Sequence, residues 1–95
     1  MPQRILVVGR SQNLMDQLIR LLESHAYIVT STTNDAVALD LAGSGEFDAL
    51  LLGEELSLSD QASLREEVRR NRPEIEIVIH RGAGSALTLL RQAFR

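Results

Sequence analysis

Apolar runs alternate with helical patterns at short intervals along the chain. Ile5 to Val8 are unbroken apolar residues ending at Gly9, and Ala49 to Leu52 repeat that signature before Gly53. Runs without polar alternation suit central parallel strands covered on both faces by crossover helices. Between them Leu14, Leu18, Leu21 and Leu22 recur at helical spacing, with Ser11 or Asn13 as the N-cap. Tyr27 to Thr33 is rich in β-branched residues and carries more hydroxyls, which predicts a strand nearer the sheet edge. Asn34 opens a second helix whose Val37, Ala38, Leu41 and Ala42 are predicted to face the sheet, and Gly43-Ser44-Gly45 ends it.

A polar loop from Glu54 to Ser59, broken by Leu56 and Leu58, leads to a third helix predicted over about Asp60 to Asn71, where Pro73 forces a stop. Ile75, Ile77 and Ile79 predict a fourth strand, less enclosed than the central two because Glu74 and Glu76 interrupt it. In the last segment Ala86, Leu89, Leu90, Ala93 and Phe94 form one helical face, with Ser85 as the expected N-cap. The order βαβαβαβα, without repeats or an interdomain linker, predicts one α/β domain over residues 1–95.

Composition narrows the function. A chain of 95 residues with 44% hydrophobic content suits a single core. Net charge −3 gives no basic field for nucleic acid, although all ten cations are arginines and lysine is absent. The Arg65, Arg69, Arg70 and Arg72 run is diluted by Glu66 and Glu67 and reads as a solvated face. With no cysteine, and with His25 and His80 far apart, no disulfide framework or structural zinc site is expected. Neither a signal peptide nor a membrane span is apparent, so a cytoplasmic location without membrane association is expected.

Three stretches carry a resemblance to a known family: Arg4 to Val8, then Leu21 to Val29, then Phe47 to Leu52, in register with Pro73 to Ile79. In order and spacing they resemble landmarks of the receiver domains of bacterial response regulators. The resemblance implies a flavodoxin-like three-layer sandwich with parallel strand order 2-1-3-4, the family's fifth strand and fifth helix being missing. It also implies acidic residues after the first strand that hold magnesium, a phosphoacceptor aspartate after the third, a hydroxyl after the fourth and a lysine after the fifth. Here the acidic positions fall on Gly9 and Arg10, the acceptor position on Gly53, and the hydroxyl position on Arg81 or His80. No catalytic residue, metal ligand or cofactor is therefore expected, and the chain reads as a non-enzymatic pseudo-receiver.

Other readings attach to the rim at the strand ends. Arg10 and Arg81 are expected to form ion pairs with Glu54 and Glu55. Alternatively Arg10 and Arg81, with Gly82, Gly84 and Ser85, could cradle an anion at the start of the last helix. The shortened sheet would leave its fourth strand at an edge, a hazard that a partner can cover. Ile77, Ile79, His80, Leu90 and Phe94 form the expected dimer surface, and the amphipathic helix up to Phe94 suggests a domain finished at Arg95. The leading expectation is a phosphorylation-independent interaction or dimerisation module in bacterial signal transduction, acting as a homodimer or on another signalling protein. The alternatives are a small-anion or nucleotide sensor and, third, a true phosphorelay receiver with its acceptor moved to Glu54 or Glu55.

Overall fold

The computed structural model describes residues 2–53 and 55–94. Four strands alternate with four helices: β1 (Arg4–Val8), α1 (Gln12–Ser24), β2 (Ile28–Thr32), α2 (Asp35–Gly43), β3 (Ala49–Gly53), α3 (Leu58–Asn71), β4 (Glu76–His80) and α4 (Ala83–Ala93). All neighbouring strands pair in parallel in the order β2-β1-β3-β4. The two apolar runs are the central strands, with β1 buried from Ile5 to Val8 and β3 along its whole length. At the other end of the sheet Asp48 Oδ2 accepts from the Arg4 N–H at 2.8 Å, a strand-start contact remote from the rim.

Two apolar layers sandwich the sheet. On one face Ile5, Val7, Ala49 and Leu51 pack with Met15, Leu18 and Leu22 of α1 and with Ala86 and Leu90 of α4. On the other, Leu6, Val8, Leu50 and Leu52 pack with Ala38 and Ala42 of α2 and with Leu64 and Val68 of α3. Crossover handedness explains the division, since β1 to β2 runs along the sheet in the opposite sense from β2 to β3 and β3 to β4. Right-handed connections then place α1 on one face and α2 and α3 on the other. A right-handed connection from β4 to a strand beyond it would keep its helix beside α3. Instead α4 turns back to the α1 face.

Several boundaries differ from the sequence expectation. In α1 it is Met15 that is buried, while Leu14 stays 55% exposed, and in α2 Val37 faces solvent. The cap of α1 is Ser11, whose hydroxyl accepts from the Leu14 N–H. Helix α3 starts at Leu58 rather than near Asp60, because Ser57 Oγ accepts from the Asp60 N–H at 3.0 Å. Ser85 is not a cap: α4 begins at Ala83 after Gly82, with no side-chain cap. In β4 the residues turned inward on the α4 side are Val78 and His80, whereas Ile79 is 38% exposed.

Gly45 closes the turn after α2 at φ +81°, and a Cβ there would lie 2.7 Å from the Arg72 guanidinium. That guanidinium donates twice to the Gly43 carbonyl, at 3.2 and 2.9 Å, tying the end of α2 to the end of α3. Gly45→Ala is expected to cost about 1–2 kcal/mol for the left-handed backbone, read as a lowered urea midpoint at unchanged slope. An unchanged midpoint would show that the turn relaxes freely.

Candidate functional site at the carboxyl rim of the sheet

The strand ends bring Gly9, Arg10 and Ser11 after β1 beside Gly53 at the end of β3 and Glu55 after it, with His80 at the end of β4 and Arg81 and Gly82 after it. Glu54 lies outside the described residues. The Glu55 carboxylate folds back over the β1 and β3 ends and fills the space that side chains at Gly9 and Gly53 would need. A Cβ on Gly53 would overlap Glu55 Oε2 and lie 2.7 Å from its Cδ. A Cβ on Gly9 would overlap Glu55 Oε1 and lie 2.9 Å from Met15 Sδ. The Arg10 backbone N–H donates to Glu55 Oε1 at 3.2 Å and holds the carboxylate there.

The turn that carries Glu55 is fastened from below. Gln61 is 7% exposed, and its side-chain amide donates to the carbonyls of Gly53 and Leu56, both at 3.2 Å. Sequence reading passed over Gln61. Its spacing to Leu64 and Val68, three and seven residues on, puts it on the buried stripe of α3, where a polar side chain needs partners.

Arg10 does not pair through its side chain with Glu55 as expected. Its guanidinium turns to the α2–α3 side, donating to the Thr33 carbonyl at 3.0 Å, to Asp35 at 3.0 Å and to Asp60 at 3.1 Å. Both aspartates sit in the first turns of their helices, where negative charge is favoured and backbone caps fix the geometry. Desolvation works against the charge of Arg10. Its hydrogen bonds to Asp60 and Asp35, and their charges, outweigh that and hold the guanidinium above its ordinary pKa. One arginine thus fastens the β1–α1 loop to the starts of α2 and α3.

Of the two walls expected for an anion cradle, the Arg10 guanidinium is already engaged by Thr33, Asp35 and Asp60. Gly84 and Ser85 lie within the first turn of α4 and not in a loop. Among the described residues Arg81 has no salt bridge, and it is exposed. The expected dimer surface is also divided. Ile77 and Ile79 lie on the α3 side of β4, while Leu90 is fully buried against α1 and Phe94 packs on Tyr27 with ring centroids 6.3 Å apart. His80 is buried, with Nδ1 accepting from the Gly82 N–H at 3.2 Å. On the third helix Arg70 pairs with Glu66 and Glu67, a solvated face as expected.

These residues do not fit a magnesium ion, which needs hard oxygen ligands in near-octahedral array. Glycines stand at two of the positions that would supply carboxylates, Arg10 occupies a third, and Asp35 and Asp60 are already bound to its guanidinium. Among the described residues no group of three or more His, Asp or Glu is arranged to hold a metal, and no helix is long and apolar enough to cross a membrane.

No family model and no curated protein matches the chain in sequence. Solved structures do. A pilus assembly-related protein from Burkholderia pseudomallei is 26% identical, with 93% of this chain and 68% of that one covered and a TM-score of 0.68. A response regulator protein, solved in complex with a histidine kinase, is 26% identical over 83% of this chain and 68% of its own, with a TM-score of 0.72. A CheY-like response regulator receiver domain protein from Methanospirillum hungatei shares the fold at 18% identity, covering 96% and 75%, with a TM-score of 0.73. By strand order, layer arrangement and these likenesses, the chain has the receiver-domain fold of response regulators, with glycines and an arginine where that family's resemblance places its acids.

Proposed function

We propose that this chain is a phosphorylation-independent pseudo-receiver that works as a protein-interaction module in signal transduction. The observation that carries this reading is the Glu55 carboxylate lying over Gly9 and Gly53. It puts a fixed negative group beside the acceptor position while leaving no aspartate there to form an acyl phosphate. With Arg10 fastening the neighbouring loops, the rim is held in one arrangement without a metal. Glu55 itself is a poor relocated acceptor, because Oε1 is engaged by the Arg10 N–H and Gly9 and Arg10 stand where the resemblance places the acids that hold magnesium.

The contact surface this reading favours is β4. Its outer edge pairs with no strand among the described residues, and Ile79 beside it is 38% exposed. A second copy or another signalling protein would pair that edge. The response regulator noted above was solved with a histidine kinase, which supports a signalling partner of that general kind. Incubation with a small phosphodonor and magnesium, read by intact mass, is expected to add nothing; a stable added phosphate would overturn the reading. Light scattering over a wide concentration range then separates self-association from a requirement for a different partner.

A further inference from the structure

We propose that the cavity between α1 and α4 binds a free apolar α-amino acid. This inference goes beyond the interaction reading and stands or falls without it. The cavity holds about 290 Å³ and opens at the carboxyl rim, where parallel α/β sheets place their ligands. Val7, Met15 and Leu18 supply an apolar floor, each no more than 3% exposed. Leu14 stands at the same cavity with 55% of its surface exposed, an apolar side chain that a bound apolar group would cover.

Gln17 and the buried His80 line the cavity as well, and its two charged side chains are of opposite sign. Glu55 enters from the β3 side and Arg81 from the end of β4, and the two do not pair with each other across the cavity. Arg81 stands beside Gly82 and Ala83, where α4 starts without a side-chain cap, so the first-turn N–H groups add to the same positive side. Glu55 has Oε1 occupied by the Arg10 N–H, which steadies the carboxylate and leaves Oε2 to accept another donor.

A simple anion suits only half of this cavity, because it would meet the Glu55 charge and leave the apolar floor unused. An amine suits only the other half. An α-amino acid answers all three parts: its carboxylate lies against Arg81 and the start of α4, its ammonium against Glu55, and its apolar side chain on Met15 and Leu18. Opposite charges held apart in a small, partly apolar cavity recognise a zwitterion better than either ion alone.

The test is calorimetric titration of the full chain with L-leucine and L-phenylalanine, alongside 4-methylpentanoate, 3-methylbutylamine and inorganic phosphate. Saturable binding of at least one amino acid, with the acid, the amine and phosphate each at least 10-fold weaker, is the expected result. Arg81→Ala and Glu55→Gln should each weaken it at least 10-fold while leaving the unfolding midpoint near that of the parent. Equal binding of phosphate or of the acid would reduce the site to an anion site and overturn the assignment. So would saturable binding that survives both substitutions, or no saturable binding of either amino acid.

Discussion

Leu90→Ala is expected to lower the stability of this domain by about 2–5 kcal/mol, the range for a fully buried leucine whose cavity cannot collapse. Leu90 is 0% exposed and joins α4 to the layer formed by Leu18, Leu22, Leu51 and Val78. Small domains have only about 5–15 kcal/mol in total, so the loss is expected to lower the melting temperature by more than about 10 °C. The matched control is Leu58→Ala in the first turn of α3, where the side chain is 83% exposed and a change within about 0.5 kcal/mol is expected. The contrast tests the placement of α4 directly. A near-neutral Leu90→Ala would mean that α4 does not close the α1 face, and the cavity between those helices would lose its wall.

The second large effect belongs to Arg10. Arg10→Ala removes one cation from two carboxylates and a carbonyl, and is expected to cost about 1–3 kcal/mol, more than an isolated exposed pair because three elements lose a shared partner. The side chains involved are 34%, 36% and 45% exposed, so solvent screening keeps the figure well below that of a buried network. The cost should shrink as salt is raised. Its pH dependence follows from the raised pKa of the guanidinium. A raised folded pKa gives stability that is complete below the unfolded value and is lost only as pH climbs through the folded one. Both values lie at the alkaline extreme, so the arginine's contribution should be constant from about pH 6 to 9. Arg10→Lys keeps the charge without the planar fork and should recover only part of the loss. A melting temperature unchanged by Arg10→Ala at low salt would show that the loops are held by their helix caps alone.

What could be read in advance depended on how local the deciding interactions are. The central strands were legible because two unbroken apolar runs have no place in a small α/β domain except between two helical layers. Asn34 was legible as a cap, and Ser11 as one of two candidates with Asn13, because capping joins a side chain to a backbone N–H three residues away. Glycine at position 53 and arginine at position 10, where the resemblance places acids, were equally plain. The partners of Arg10 were not. Asp35 and Asp60 lie 25 and 50 residues further along, and only the side-by-side packing of α2 and α3 brings their first turns to one guanidinium. The return of Glu55 over Gly9 and Gly53 likewise needs β1 and β3 as neighbours and Gln61 beneath the turn.

The last helix marks the same boundary between pattern and packing. Its periodicity names the buried stripe, Ala86 and Leu90 among it, but not the layer that the stripe meets. Ile77, Ile79, His80, Leu90 and Phe94 therefore do not share one face, because α4 crosses to the α1 side and leaves the isoleucines on the other. By itself, then, the chain's sequence determined the order of strands and helices, the central position of β1 and β3, and the glycines and arginine at positions 9, 53 and 10, all of which are properties of short segments or single positions. The tertiary structure decided which face α4 covers, which carboxylates hold Arg10, and that Glu55 and Arg81 share a cavity without pairing with each other. Those outcomes rest on contacts between residues far apart in the chain, and packing and crossover handedness, not local spacing, bring them together.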